Sequence, residues 1–131
     1  MTKLAILGVG VMGETLLAGL LRAGWDVANI VATERRSHRR AELIERYGIT
    51  ILDDNVEAVR WADTCVFVVK PQDVADLLAE IAPVADPHTL VVSLCAGVST
   101  DLIESKLPAG TPVVRVMPNT PAQVDEGMAA V

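Results

Sequence analysis

Three glycines near the start of the chain, Gly8, Gly10 and Gly13, carry the spacing G-x-G-x-x-G within Ile6-Leu7-Gly8-Val9-Gly10-Val11-Met12-Gly13. At the first position glycine permits a tight turn. At the second it leaves room for a pyrophosphate against the backbone, and at the third it lets a helix lie close on a sheet. The chemistry is phosphate capture, with free N–H groups and partial positive charge at a helix N-terminus facing a dinucleotide. The alternatives are a glycine-rich turn without a ligand and a P-loop; the P-loop fails because no Gly-Lys-Ser/Thr follows. About twenty residues further on, where such folds read the adenosine ribose, stands Thr33-Glu34-Arg35-Arg36-Ser37. An acid there takes a ribose 2′-hydroxyl, whereas arginine accommodates a 2′-phosphate. Arg35 and Arg36, with Ser37 as an added donor, can make charge-assisted hydrogen bonds to a phosphate dianion. The stretch therefore reads as favouring NADP over NAD, and Arg39 and Arg40 as a solvated helix face.

These groups meet only if the chain brings the ends of several strands together. Strand and helix patterns alternate along it. Strands are predicted at 3–7, 29–33, 49–52, 64–69, 90–94 and 112–117. Between them, helices are predicted at 14–23, 37–47, 55–61, from Pro71 onward, and at 100–106. The second helix has Ala41, Leu43, Ile44 and Tyr47 at helical spacing, and the fourth has Val74, Leu77, Leu78 and Ile81. Strands this apolar, joined by helices, imply an α/β domain over 1–131: a doubly wound, mostly parallel (Rossmann) sheet with helices on both faces. Its nucleotide would lie across the carboxyl ends of the strands.

Residues that follow the strands are accordingly the site candidates. Val69-Lys70-Pro71-Gln72 follows the fourth, Ala96-Gly97 the fifth, and Asn119 and Thr120 the sixth. Small residues at Ala96 and Gly97 allow a flat ring near the backbone, and Asn119 and Thr120 could hydrogen-bond a carboxamide or a substrate. Lys70 reads as a residue whose backbone and stem line the cleft rather than as a catalytic group. No catalytic residue is assigned, and neither His38 nor His88 is given a role.

Composition bounds the reading. With 51% hydrophobic and 21% charged residues the chain is globular rather than disordered. A net charge of −6 argues against generic nucleic-acid or anionic-membrane binding. No apolar run approaches the roughly 18 residues of a membrane span. Cys65 and Cys95 lie inside apolar runs and read as buried thiols of a reducing, cytoplasmic compartment. No His/Cys/Asp cluster has metal-ligand spacing.

The blocks Gly8 to Gly13, Val69-Lys70-Pro71-Gln72, Ala96-Gly97-Val98 and Arg115-Val116-Met117-Pro118-Asn119-Thr120-Pro121-Ala122, with Glu126-Gly127-Met128, resemble pyrroline-5-carboxylate reductase in order along the whole chain. The resemblance implies reduction of 1-pyrroline-5-carboxylate to L-proline with NAD(P)H, by hydride transfer to a cyclic imine; the arginines after the second strand make NADPH the expected cofactor in preference to NADH. It implies that Gly8, Gly10, Val11, Met12 and Gly13 meet the pyrophosphate, and Arg35, Arg36 and Ser37 the adenosine ribose. Asn55 would touch the adenosine side. Val69, Lys70, Pro71, Gln72, Ala96 and Gly97 would line the nicotinamide side. Family chains are about twice as long, continuing into an all-helical domain that interlocks two subunits and supplies most of the substrate site. This chain is therefore expected to be a truncated, cofactor-binding half, inactive alone, of an enzyme that is a homo-oligomer built on dimers. The rival readings are another NADP-dependent oxidoreductase, of the 6-phosphogluconate or hydroxyisobutyrate dehydrogenase type, and a non-enzymatic nucleotide-binding module.

Overall fold

Six short apolar strands make one parallel sheet in a computed structural model that describes residues 2–116. Readings placed on 117–131, among them Asn119, Thr120 and the block Glu126-Gly127-Met128, lie outside the described residues. The strands are β1 (Leu4–Leu7), β2 (Ile30–Thr33), β3 (Thr50–Leu52), β4 (Thr64–Phe67), β5 (Leu90–Ser93) and β6 (Val113–Arg115). Their order is β3-β2-β1-β4-β5-β6, and every neighbouring pair is parallel. Leu4 stands opposite Ile30 on one side and Thr64 on the other, so β1 is central. The direction of winding reverses between β1 and β4, and a crevice opens at the carboxyl ends of those two strands.

Alternate side chains leave the sheet on opposite faces, and helices cover both. On one face α1 (Val11–Arg22) and α2 (Ser37–Tyr47) cover Leu4, Ile6, Ile30 and Ala32. On the other, α3 (Asn55–Trp61), α4 (Val74–Ile81) and α5 (Thr100–Lys106) cover Ala5, Leu7, Cys65 and Phe67. The two faces dock differently. Helix α1 buries Leu16, Leu17 and Leu20, each contributing about 1.5–3 kcal/mol by removal from water. Helix α4 buries the predicted Val74, Leu77, Leu78 and Ile81. Helix α2 does not follow the predicted apolar stripe: Leu43 is its sole buried residue, while Ala41 and Ile44 are exposed. A polar network described below holds it instead.

Several caps follow from local chemistry. Asp54 accepts from the Val56 N–H at the start of α3, and Ser99 accepts from the Leu102 N–H at the start of α5. Helix α1 begins at Val11 rather than at residue 14, because the second glycine of the motif, Gly10, is itself the N-cap. Pro71 opens a 3-10 turn, Pro71–Asp73, and α4 follows only from Val74.

The glycine turn depends on two close approaches. Gly8 has φ +92°, a conformation that L side chains rarely adopt. A Cβ placed on Gly13 would lie 2.7 Å from the Gly8 carbonyl oxygen and 3.2 Å from Val68 Cγ2, so only hydrogen lets α1 seat against β1 and β4. Gly13→Ala is expected to lower the unfolding free energy by about 1–3 kcal/mol through this overpacking, read from the urea midpoint. Unchanged stability would mean that α1 does not rest on the turn.

Candidate functional site

Helix α1 starts at Val11, just after the carboxyl end of β1, where the crevice opens. Gly10 has no side chain to cap it, so the helix starts without a side-chain hydrogen bond to its first N–H groups. A Cβ built on Gly10 would meet nothing within 4 Å. Its neighbours Val11 and Met12 are 87% and 36% exposed. The turn is thus open backbone with outward N–H donors and the positive end of a helix dipole, which suits a doubly charged pyrophosphate.

A chain of hydrogen bonds runs from this turn to the loop after β2. The Gly8 N–H donates to Thr33 Oγ1 at 3.0 Å, and Thr33 Oγ1 donates to Asn55 Oδ1 at 2.6 Å. Asn55 Nδ2 donates to Glu80 Oε1 at 2.7 Å, and Glu80 Oε2 accepts from Arg35 Nη2 at 2.7 Å. Next to it, buried Glu34 accepts from the Arg36 backbone N–H and from Arg36 Nε, both at 3.0 Å, and from Arg36 Nη2 at 3.3 Å. Burial alone would push the Glu34 carboxyl up; the Arg36 guanidinium and N–H outweigh it and hold it below its ordinary value. Gly8, Thr33, Glu34, Arg36, Asn55 and Val69 line a cavity of about 380 Å³. It lies on the β2 side of the crevice, and its lining carries three acids, Glu34, Asp73 and Asp76, with two arginines, Arg35 and Arg36.

The solvated face expected of Arg39 and Arg40 is not observed. Arg39 reaches from α2 to Glu14 on α1, joined there by Arg46 Nη1 and the Tyr47 hydroxyl, each 2.6 Å from Glu14 Oε2. Arg40 Nη1 donates to the carbonyls of Glu34 and Arg35 at 3.0 and 2.9 Å, which fixes the loop after β2. Their partners lie across the tertiary structure, so helical spacing could not reveal them. The same elements enclose a second cavity, of about 710 Å³, lined by Gly10, Glu14, Arg36, Arg39 and Tyr47 among others.

Other candidates lie further along the same edge. Lys70, Pro71 and Gln72 after β4, and Ala96 and Gly97 after β5, are exposed, and Ser37 opens α2 beside Arg36. Of the 69–72 stretch, Val69 lines the 380 Å³ cavity and Lys70 does not. Both cysteines are free and buried. Burial pushes the Cys65 thiol up to about 12 and raises that of Cys95, leaving neither poised as a nucleophile. Among the described residues no cluster of His, Cys, Asp and Glu could hold a metal ion, and no helix is long and apolar enough to cross a membrane.

Sheet order, glycine turn and the acid–arginine loop after β2 together define a dinucleotide-binding domain of the Rossmann type. The chain belongs to the family described as NADP oxidoreductase coenzyme F420-dependent, which it matches over residues 3–97. It is 42% identical over 134 residues to pyrroline-5-carboxylate reductase of Corynebacterium melassecola, covering 100% of this chain and 50% of that protein. Among solved structures it is similar to a pyrroline-5-carboxylate reductase from Coxiella burnetii, with TM-score 0.86 and 32% identity over 94% of this chain and 46% of that one. It is also similar to Plasmodium falciparum pyrroline carboxylate reductase with NADP bound, with TM-score 0.79 and 27% identity over 94% and 44% of the two chains. The chain spans about half the length of the curated relatives it matches. A nicotinamide dinucleotide fits the residues present, since the space above Gly10 is what a Cβ would fill and the nearby donors suit phosphate.

The Tyr47 hydroxyl foremost, together with the Arg39 and Arg46 guanidiniums and against the cost of burial, lowers Glu14 from about 4.5 to about 2. A depressed carboxyl stabilises the fold fully above its unfolded value, and that contribution disappears as pH falls through the folded one. The melting temperature of the native chain is therefore expected to converge on that of Glu14→Gln between about pH 4.5 and pH 2. A constant gap across that window would contradict the network.

Proposed function

We propose that residues 1–131 form the cofactor-binding part of an NADPH-dependent reductase that converts 1-pyrroline-5-carboxylate to L-proline. The observation that carries this reading is the open glycine turn and acid–arginine loop in a chain similar along its whole length to pyrroline-5-carboxylate reductases. NADP in the bound Plasmodium relative supports the cofactor class. The bound nicotinamide would supply the hydride for the C=N bond. The protein's part is to bind and orient. In this reading Gly8, Gly10, Val11, Met12 and Gly13 hold the pyrophosphate at the α1 N-terminus, and Asn55 meets the adenosine side. Val69, Lys70, Pro71, Gln72, Ala96 and Gly97 flank the nicotinamide, with Asn119 and Thr120 as further donors. No described residue is assigned as proton donor, and we assign turnover to the whole enzyme, a homo-oligomer acting in the cytoplasm.

The preference for NADPH rests on Arg35, Arg36 and Ser37. Helix α2 starts at Ser37 without a side-chain cap, so a 2′-phosphate placed there would meet N–H donors as well as two guanidiniums. Glu34 acts against this, because it already engages Arg36 and is itself a ribose acceptor. Calorimetric titration of the chain with NADPH and with NADH is expected to show tighter NADPH binding. Replacing Arg35 and Arg36 together by alanine should remove about 1.5–3 kcal/mol of that advantage, roughly ten- to a hundredfold. Equal affinities in the native chain would assign the ribose to Glu34 and overturn the preference. Binding of neither nucleotide would overturn the dinucleotide reading.

A further inference from the structure

Arg35 and Glu80 join the two walls of the 380 Å³ cavity. Arg35 belongs to the loop after β2; Glu80 lies on α4, one helical turn beyond the cavity-lining Asp76 and Leu77. Their 2.7 Å ion pair therefore ties the loop after β2 to α4 beside this cavity, whose lining includes Arg35. The side chains are 73% and 31% exposed, so the pair is solvent-screened and exchangeable rather than a fixed strut. The second Glu80 oxygen accepts from Asn55, which is tied through Thr33 to the Gly8 N–H. Glu80 thus does two separable things: one oxygen supports the adenosine wall, and the carboxylate charge occupies Arg35.

We propose that Glu80 is a specificity-determining residue that competes with the nucleotide's 2′-phosphate for Arg35, and so limits the preference for NADPH over NADH. The proposal rests on the dinucleotide reading above. A phosphate dianion and the Glu80 carboxylate want the same guanidinium, and NADH, lacking the phosphate, has no stake in the exchange. When NADPH binds, Arg35 turns from α4 to the phosphate while Glu80 keeps Asn55. The ordinary sequence rule for ribose readers points to Glu34, Arg35 and Arg36, just after β2, and not to α4. Glu80 stands 45 positions from Arg35 and enters the site only through the fold.

Glu80→Gln removes the charge but keeps an oxygen for Asn55. The native chain, Glu80→Gln, Arg35→Ala and the double variant would each be titrated with NADPH and with NADH at one fixed salt concentration. Glu80→Gln is expected to tighten NADPH by about two- to fivefold, the range of an exposed ion pair. NADH affinity should change less than NADPH affinity, and the urea midpoint of each variant serves as the control for folding. In the Arg35→Ala background the same substitution should leave the NADPH-to-NADH ratio where it was. The proposal is overturned if Glu80→Gln changes both nucleotides equally or neither, if it weakens NADPH, or if its gain persists without Arg35. A native chain that binds neither nucleotide fails earlier, at the dinucleotide reading. A native chain that binds both, with no selective response to Glu80→Gln, retains that reading and sinks this proposal alone.

Discussion

The seating of α1 on the β1 turn is the contact on which the rest of the site depends. With only hydrogen at Gly13, the helix approaches the Gly8 carbonyl and Val68 closely enough to start at Val11. That early start places the uncapped first N–H groups of α1 at the carboxyl end of β1 instead of spending those residues on a longer loop. Pairing of β1 with β2 places Thr33, on the neighbouring strand, to accept from the Gly8 N–H and pass the connection on to Asn55. A helix displaced by one methyl group would shift the backbone N–H groups at the head of α1 away from the turn.

A second constraint is charge compensation around the loop after β2. The arginines there do not form a free positive patch. Arg35 is held by Glu80, Arg36 by Glu34, and Arg39 and Arg46 by Glu14, while Arg40 is spent on backbone carbonyls. This explains how four arginines sit within six residues of a chain with net charge −6 without mutual repulsion dominating. If the proposed function holds, an incoming phosphate has to compete with these carboxylates for its partners. In the proposed reading, discrimination between nucleotides is a difference between two occupied states rather than the filling of a vacant anion site.

Much of the architecture was legible in the residues. Strand–helix alternation yields the parallel sheet, and α2, α3 and α5 fall at 37–47, 55–61 and 100–106 as predicted. Local signals sufficed there: Gly48 ends α2, and Asp54 and Ser99 cap α3 and α5. Legibility failed where the cause was tertiary. The start of α1 was hidden because its cap is a glycine, which carries no capping side chain. The 3-10 turn at Val27–Asn29 was unread, although Asp26 caps it. Arg39, Arg40 and Glu14 look like ordinary helix-surface charges until α1 and α2 are laid side by side. Asn55 could be singled out by resemblance, but its bonds to Thr33 and Glu80 belong to the folded chain. Glu80 had no motif to mark it at all.

The most direct test of the central claim is a titration of the isotopically labelled chain with NADPH, followed by amide nuclear magnetic resonance. If the glycine turn at the head of α1 is the phosphate cradle, the amide signals of Gly10, Val11, Met12 and Gly13 shift together with those of Arg35, Arg36 and Ser37, all saturating at one affinity. Saturable shifts confined to other elements, with the glycine-turn amides unmoved, would contradict the account.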